Sequence, residues 1–176
     1  MNKREIDDAL KKISQGDNKA FERLYKETAR GVYAFLFAYL CNEQDCEDAV
    51  QTTFLKIKQN INAYKAGSNG LAWILQIAKN VALNEIRSKN NYEKQKKANI
   101  SEERTERIDT ETKNVLMSVM KRTLDEEERQ IVVLHVVWGY KHKEIAEMTG
   151  CPVGTVTSKY KRATDKLKKA CKEERL

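Results

Sequence analysis

Apolar residues recur along this chain three and four positions apart, the spacing of one face of a helix, in one segment after another. Residues 5–13 place Ile6, Leu10 and Ile13 in register. Gly16-Asp17 interrupts, and Asp17, with Ala20 three residues on, suits a helix start. Residues 18–41 carry a long stripe of Phe21, Leu24, Tyr25, Thr28, Val32, Phe35, Leu36, Tyr39 and Leu40, which Cys41-Asn42 closes. Residues 43–60 begin acidic and end basic, as a helix dipole favours, over a stripe of Ala49, Val50, Thr53, Phe54 and Ile57. The period lapses in 62–70 (NAYKAGSNG), which reads as a loop. It resumes in 71–89 with Leu71, Ile74, Leu75, Ile77, Ala78, Val81, Ala82 and Ile86.

From Asn90 to Thr110 the pattern dissolves into charged residues, a linker composition. Helical spacing returns in 111–122 (Val115, Leu116, Val119, Met120) and again from Asp125, where three glutamates occupy a first turn. Val132, Val133, His135, Val136 and Val137 are the core candidates there; their β-branched density rivals a strand, but the acidic start and the length favour a helix ended by Gly139. Ile145, Ala146 and Met148 mark a short helix, followed by Thr149-Gly150-Cys151-Pro152 and a second helical pattern. Two helices about a tight Gly-containing turn are the sequence form of a helix-turn-helix. The pattern therefore predicts an all-α protein of two small helical domains, 1–92 and 111–176, joined by a polar linker at 93–110. One local rule is broken: Glu144 suits the third position of a capping box, but Lys141 stands where Ser or Thr would cap, at a cost of about 1 kcal/mol.

Charge sharpens this picture. The chain has net charge +7 and a pI near 9.1, distributed as +3 over residues 1–95, zero over 96–113 and +4 over 114–176. Between Pro152 and Lys172 seven cations (159, 161, 162, 166, 168, 169 and 172) face one acid, Asp165. Most charge runs are solvated helix faces, but a basic helix behind this turn favours DNA, whose phosphates attract it and whose major groove admits it. Against the basic trend, Glu43, Asp45, Glu47 and Asp48, with Gln51 following, form an acidic cluster. It suits a helix N-terminus and equally a docking surface for a basic protein partner. In 71–89 the side away from the core shows Trp73, Gln76, Lys79, Asn80, Asn84 and Arg87, an aromatic and amides interleaved with cations, the composition of a single-strand nucleic-acid surface.

Other chemistries find no footing in the sequence. Cys41, Cys46, Cys151 and Cys171 show no metal-ligand spacing and read as free thiols. His135 and His142 have no nucleophile–carboxylate arrangement around them, and no Gly-rich phosphate loop occurs. No apolar run reaches membrane-spanning length and the N-terminus lacks a signal-peptide core, so a cytoplasmic protein with neither enzyme activity, metal nor cofactor is expected.

The motifs, taken in order, resemble the extracytoplasmic function (ECF) group of bacterial RNA polymerase sigma factors. In the first half the resemblance rests on GDNKAFERLYKETARGVYAFL, EDAVQTTFLKI and AWILQIAKNVALNEIR; in the second on LDEEERQIVVLHVVWGYKHKEIAEMTGCPVGTVTSKYKRATDKLK. It covers nearly the whole chain, and the order and spacing of the motifs are more specific than any one of them. The resemblance implies a non-enzymatic initiation factor that binds core RNA polymerase, recognises the −35 and −10 promoter elements and opens the strands. It implies docking of the polymerase through Asp45, Glu47, Asp48 and Gln51, with Phe54 behind. It implies capture of a flipped base by the 65–70 loop (Lys65, Ser68, Asn69) and −10 contacts by Trp73, Lys79, Asn80, Asn84 and Arg87. For the −35 element it implies Thr155, Thr157, Ser158, Lys159, Lys161 and Arg162, with Lys143 on the backbone and Arg162 suited to bidentate contact with guanine. An anti-sigma factor, often membrane-bound, is the further partner it implies. Two positions depart from the family's habit: Lys159 stands where Arg is common, without its planar fork, and Asn84 where Asp is common. A plain helix-turn-helix regulator with an N-terminal sensing or dimerisation domain would account for the second half alone, but needs neither the acidic cluster nor the 62–89 surface. A scaffold that only binds polymerase would not need the basic helix.

Overall fold

The computed structural model describes residues 1–99 and 115–173. Among them the regular structure is helical: α1 (Lys3–Ser14), α2 (Asn18–Leu40), α3 (Glu43–Gln59), a single 3-10 turn at Ile61–Ala63, α4 (Gly70–Asn99), α5 (Val115–Thr123), α6 (Glu126–Val136), α7 (His142–Thr149) and α8 (Val153–Glu173). The chain divides into two compact units, one built on α1, most of α2, α3 and α4, the other on α5 to α8.

In the first unit the helix starts are made by side chains. Asn2 Oδ1 accepts from Glu5 N–H at 2.9 Å while the Glu5 carboxylate takes Asn2 N–H at 2.7 Å, a complete capping box. Asp17 Oδ1 accepts from Ala20 N–H at 3.0 Å, and Asn42 Oδ1 from Asp45 N–H at 3.0 Å. Between α2 and α3 the chain turns at Cys41, which takes a left-handed φ of 51°. Helix α4 packs on α3 and α1, and Ile6, Leu10, Leu24, Ile57, Ile74, Leu75 and Ala78 form a buried core. Thr28 and Thr53 are buried with them, and their hydroxyls donate to the carbonyls of Leu24 (2.6 Å) and Ala49 (2.7 Å) one turn back, so neither leaves a polar group unpaired.

In the second unit α8 packs against α5, α6 and α7. Val156, Ala163 and Ala170 give α8 its buried stripe, facing Val119, Ile131, Leu134, Tyr140 and Ile145 among the buried residues of that unit. Gly139 (φ 68°) and Gly150 (φ 72°) supply the left-handed backbone that ends α6 and α7. Helix α7 starts on half a capping box: Lys141 N–H donates to Glu144 Oε2 at 2.8 Å, and a lysine side chain offers nothing in return.

The structure departs from the sequence pattern in three places. Helix α4 continues to Asn99, so residues 93–99 of the expected linker are helical in backbone. The fading of an apolar stripe is not the end of a helix: no Gly or Pro follows Gly70 before Gly139, and Glu, Lys, Gln and Ala there all favour helix. The remainder of the expected linker, and residues 111–114 of the helix expected at 111–122, lie outside the described residues. Second, Val136 and Val137 are 64% and 47% exposed, while Ile131 and Leu134 take core positions. In a run of consecutive apolar residues no period shows which face turns inward. Third, Tyr25, expected in the core of α2, is 41% exposed.

Candidate nucleic-acid interface

The acidic cluster is split by its own helix. Glu47, Asp48 and Gln51 lie on the outward side of α3 and are exposed. Asp45 turns instead towards α4, where its carboxylate pairs with the Lys89 ammonium, and its side chain is only 19% exposed. Phe54 is buried (3%) and packs edge-on against the rings of Tyr25 (4.8 Å) and Phe21 (6.4 Å). Phe54 therefore lies beneath the acidic face and presents no surface of its own. Residues the sequence pattern had assigned to the core, or passed over, join the face. Tyr25, Ala29 and Tyr33 of α2 line a shallow groove of ≈ 330 Å³ with Glu47, Val50 and Gln51 of α3. Leu55, one turn beyond Gln51, is 58% exposed. Burial first, then the neighbouring Cys46, Glu43 and Glu47, push the Tyr33 phenol up to about 12, so it stays a neutral donor beside the acids.

The loop before α4 is built from a single 3-10 turn and two tight closures. Ser68 N–H and hydroxyl both donate to the Lys65 carbonyl (3.1 and 2.7 Å), leaving Lys65 and Ser68 exposed at the tip. Asn69 caps α4, its Oδ1 accepting from Ala72 N–H at 3.1 Å. On α4, Trp73, Gln76, Asn80, Asn84 and Arg87 follow at three- and four-residue steps, one continuous stripe leading away from the loop. Gln76 Nε2 donates to Asn80 Oδ1 at 3.0 Å, which orients both amides. Trp73 is half-buried with its ring 5.4 Å from that of Tyr64, so one flank is packed. Lys79 does not belong to this stripe; it is half-buried on the flank.

The third group of predicted residues lies on α7 and α8. Lys143, Thr157, Ser158, Lys161 and Arg162 are exposed, and Thr155 and Lys159 half-buried. Ser158 and Lys161 point away from the buried stripe of Val156 and Ala163. Thr157 is held to α7 by a 3.1 Å hydrogen bond to His142 Nδ1, while its hydroxyl also bonds the Val153 carbonyl at 3.0 Å. The Lys159 ammonium pairs with Glu127 of α6. Glu128, fully buried, takes Lys166 Nζ on both oxygens (2.9 and 2.7 Å), and Arg162 Nε lies 3.3 Å from Oε1. The same carboxylate closes the α6 capping box, accepting from Asp125 N–H at 3.1 Å. Thus two predicted DNA-reading cations, Lys159 and Arg162, are engaged by α6 acids. His135 belongs to the packing: its Nδ1–H donates to the Tyr140 carbonyl at 2.8 Å, and its ring lies 4.9 Å from that of His142 and 4.6 Å from that of Tyr160.

Comparison with known proteins places these surfaces in a family. The model of Sigma-70 region 2 matches residues 24–92 and that of Sigma-70 region 4 matches 116–167, together more than half of the chain. The chain is 28% identical over 174 residues to an ECF RNA polymerase sigma-E factor of Haemophilus influenzae, covering 90% of each. It is 29% identical over 161 residues to the ECF RNA polymerase sigma factor SigC of Mycobacterium tuberculosis, covering 88% of this chain and 84% of the relative. In fold it is similar to the sigma factor RpoE of Bartonella quintana, solved with the anti-sigma factor NepR (TM-score 0.67, 20% identity, 88% of this chain and 98% of that one). A similar likeness holds for CnrH, solved with the cytosolic domain of CnrY (TM-score 0.64, 20% identity, 96% and 98% covered). With both regions matched in order on a two-unit chain whose described residues are helical, this protein belongs to the ECF group of RNA polymerase sigma factors, transcription initiation factors with a DNA-binding region 4.

Proposed function

We propose that the chain joins core RNA polymerase in the cytoplasm, carries it to promoters by reading the −35 element with α8, and captures bases of the opened −10 element with the 65–69 loop and the α4 stripe. The observation that carries this reading is the continuity of the exposed loop with the outward row Trp73, Gln76, Asn80, Asn84 and Arg87, on the unit whose α3 exposes Glu47, Asp48 and Gln51. A duplex-only regulator has no use for such a row. Extruding a base costs a few kcal/mol, and a preformed surface offsets that cost at the moment of opening. Docking falls to Glu47, Asp48 and Gln51 with the tyrosine-lined groove beside them, and Asp45 is assigned to holding α4. On α8, Ser158 and Lys161 address the groove directly, while Lys143 and Lys168 meet phosphate. The restraining partner is a protein of the anti-sigma kind, as RpoE of Bartonella quintana has in its solved complex with NepR.

Transcription from a randomised promoter library tests the whole. Core enzyme plus this protein is expected to initiate at a defined set of sequences that core alone ignores; no new start sites would defeat the proposal. With Glu47→Lys and Asp48→Lys together, core binding is expected to fall at least tenfold, with duplex DNA binding by the full chain unchanged. Equal loss of both would make these acids structural.

A further inference from the structure

The −10 loop is fixed by a residue from the opposite end of the unit's sequence. Asp7, on α1, directs Oδ1 at two donors. It accepts from the backbone N–H of Gly70 at 2.7 Å, across 63 residues, and from the Tyr64 hydroxyl at 3.1 Å, across 57. The same hydroxyl lies 3.3 Å from the Ser68 carbonyl. One carboxylate thus ties together the residue that enters the loop, the carbonyl at its tip and the residue that begins α4.

The surroundings leave no slack in this arrangement. Tyr64 is 8% exposed and Gly70 is buried. A Cβ on Gly70 would lie 2.4 Å from Asp7 Oδ1 and 2.7 Å from Leu10 Cδ1, so the carboxylate reaches the amide only because that residue is glycine. The Gly70 N–H is one of the first-turn donors that a helix cannot satisfy internally, and Asn69 already serves Ala72. Burial, then the hydrogen bond to Asp7, raises the Tyr64 phenol above its usual range, which keeps its proton available to Asp7.

We infer that Asp7 is a positioning residue for base capture: it presets the 65–69 loop in the shape that receives an extruded base. The inference rests on the reading of that loop given above. A charge-assisted bond to a backbone amide is stronger than a neutral one. Ordering the loop before DNA arrives removes an entropic cost from binding. Asp7 itself touches no DNA; it acts through Tyr64, Ser68 and Gly70.

The test uses the full chain assembled with core polymerase. Randomised single-stranded DNA oligonucleotides are selected on the wild-type holoenzyme, and the best sequence and its single-base variants become the probes. Asp7→Ala is expected to weaken binding of the selected oligonucleotide about tenfold or more and to flatten discrimination between its variants. Asp7→Asn, which keeps an acceptor oxygen, should fall between Asp7→Ala and wild type, and Tyr64→Phe should repeat part of the loss. Affinity for core and for duplex −35 DNA should stay within twofold in all three. Wild-type affinity and discrimination in Asp7→Ala would overturn the inference and leave the function standing. So would a parallel fall in core, duplex and oligonucleotide binding, which would mean a purely structural role. If wild-type holoenzyme itself selects no sequence, the reading of the loop fails and the inference falls with it.

Discussion

The 65–69 loop and helix α8 are both fixed by carboxylates from another helix, and these carboxylates grip different things. Asp7 holds a backbone N–H and a phenol, groups with no charge. Glu128 and Glu127 hold Lys166, Arg162 and Lys159, cations that sit on the helix proposed to bind DNA. The first arrangement settles shape without touching the surface charge. The second settles the position of α8 by spending part of the charge that phosphate would attract. Of the seven cations from Lys159 to Lys172, three face α6 acids and Lys169 lies 4.0 Å from Glu173, while Lys161, Lys168 and Lys172 make no ion pair among the described residues. On the proposed function, DNA would compete with α6 for Lys159, Arg162 and Lys166, whereas a captured base would displace nothing at Asp7.

The largest effect that would sharpen this contrast is expected from Glu128→Ala. It removes a buried carboxylate, two charged contacts and half a helix cap, and the second unit should lose about 2–3 kcal/mol. The partners Lys166 and Arg162 are 41% and 59% exposed and turn to water once released, which keeps the loss below that of a fully buried pair. Denaturant unfolding of the full chain followed at Trp138, with Trp73 replaced by Phe, measures it. An unchanged midpoint would show that the ion pairs on α8 contribute nothing to holding it.

A somewhat smaller loss, about 1–3 kcal/mol, is expected for Gly70→Ala, confined to the first unit. The added Cβ must displace Asp7 and Leu10, whereas Gly67, where a Cβ meets nothing within 4 Å, has no such crowding. Unfolding followed at Trp73 with Trp138 replaced by Phe reads it. A wild-type transition there would break the comparison, because the loop would then tolerate the loss of its tie.

The smallest effect concerns binding. Glu127 is 60% exposed, so its pair with Lys159 is worth less than about 1 kcal/mol. Glu127→Gln should release Lys159 to phosphate, tighten duplex DNA two- to fivefold at low salt, and steepen the salt dependence by about one counterion. Measured by titration at several salt concentrations, an unchanged slope would mean that Lys159 stays clear of DNA even when released.

Much of this was legible in the sequence. The helices from α1 to α3 and the turn before α8 follow from periodicity, Gly16, Gly150 and capping side chains, all local causes. The loop at 62–70 and the acidic cluster of α3 were visible for the same reason. What a helix period cannot report is the neighbour against which a face packs. That is why periodicity is silent on the pairing of Asp45 with Lys89 and on the packing of Phe21 and Tyr25 against Phe54. The same gap hid the roles of Asp7, Glu127 and Glu128, whose partners lie 32 to 63 residues away in the chain.

Helix content, the order of the motifs and the distribution of charge are properties of neighbouring residues, and the sequence by itself determined them, together with the family those motifs mark. Tertiary structure alone decided which of two similar acids is exposed and which is spent on a lysine, and which valines of α6 face water. These depend on contacts between segments distant in sequence, where a single side chain such as Asp7 meets its partners only because folding brings two helices and a loop to one point.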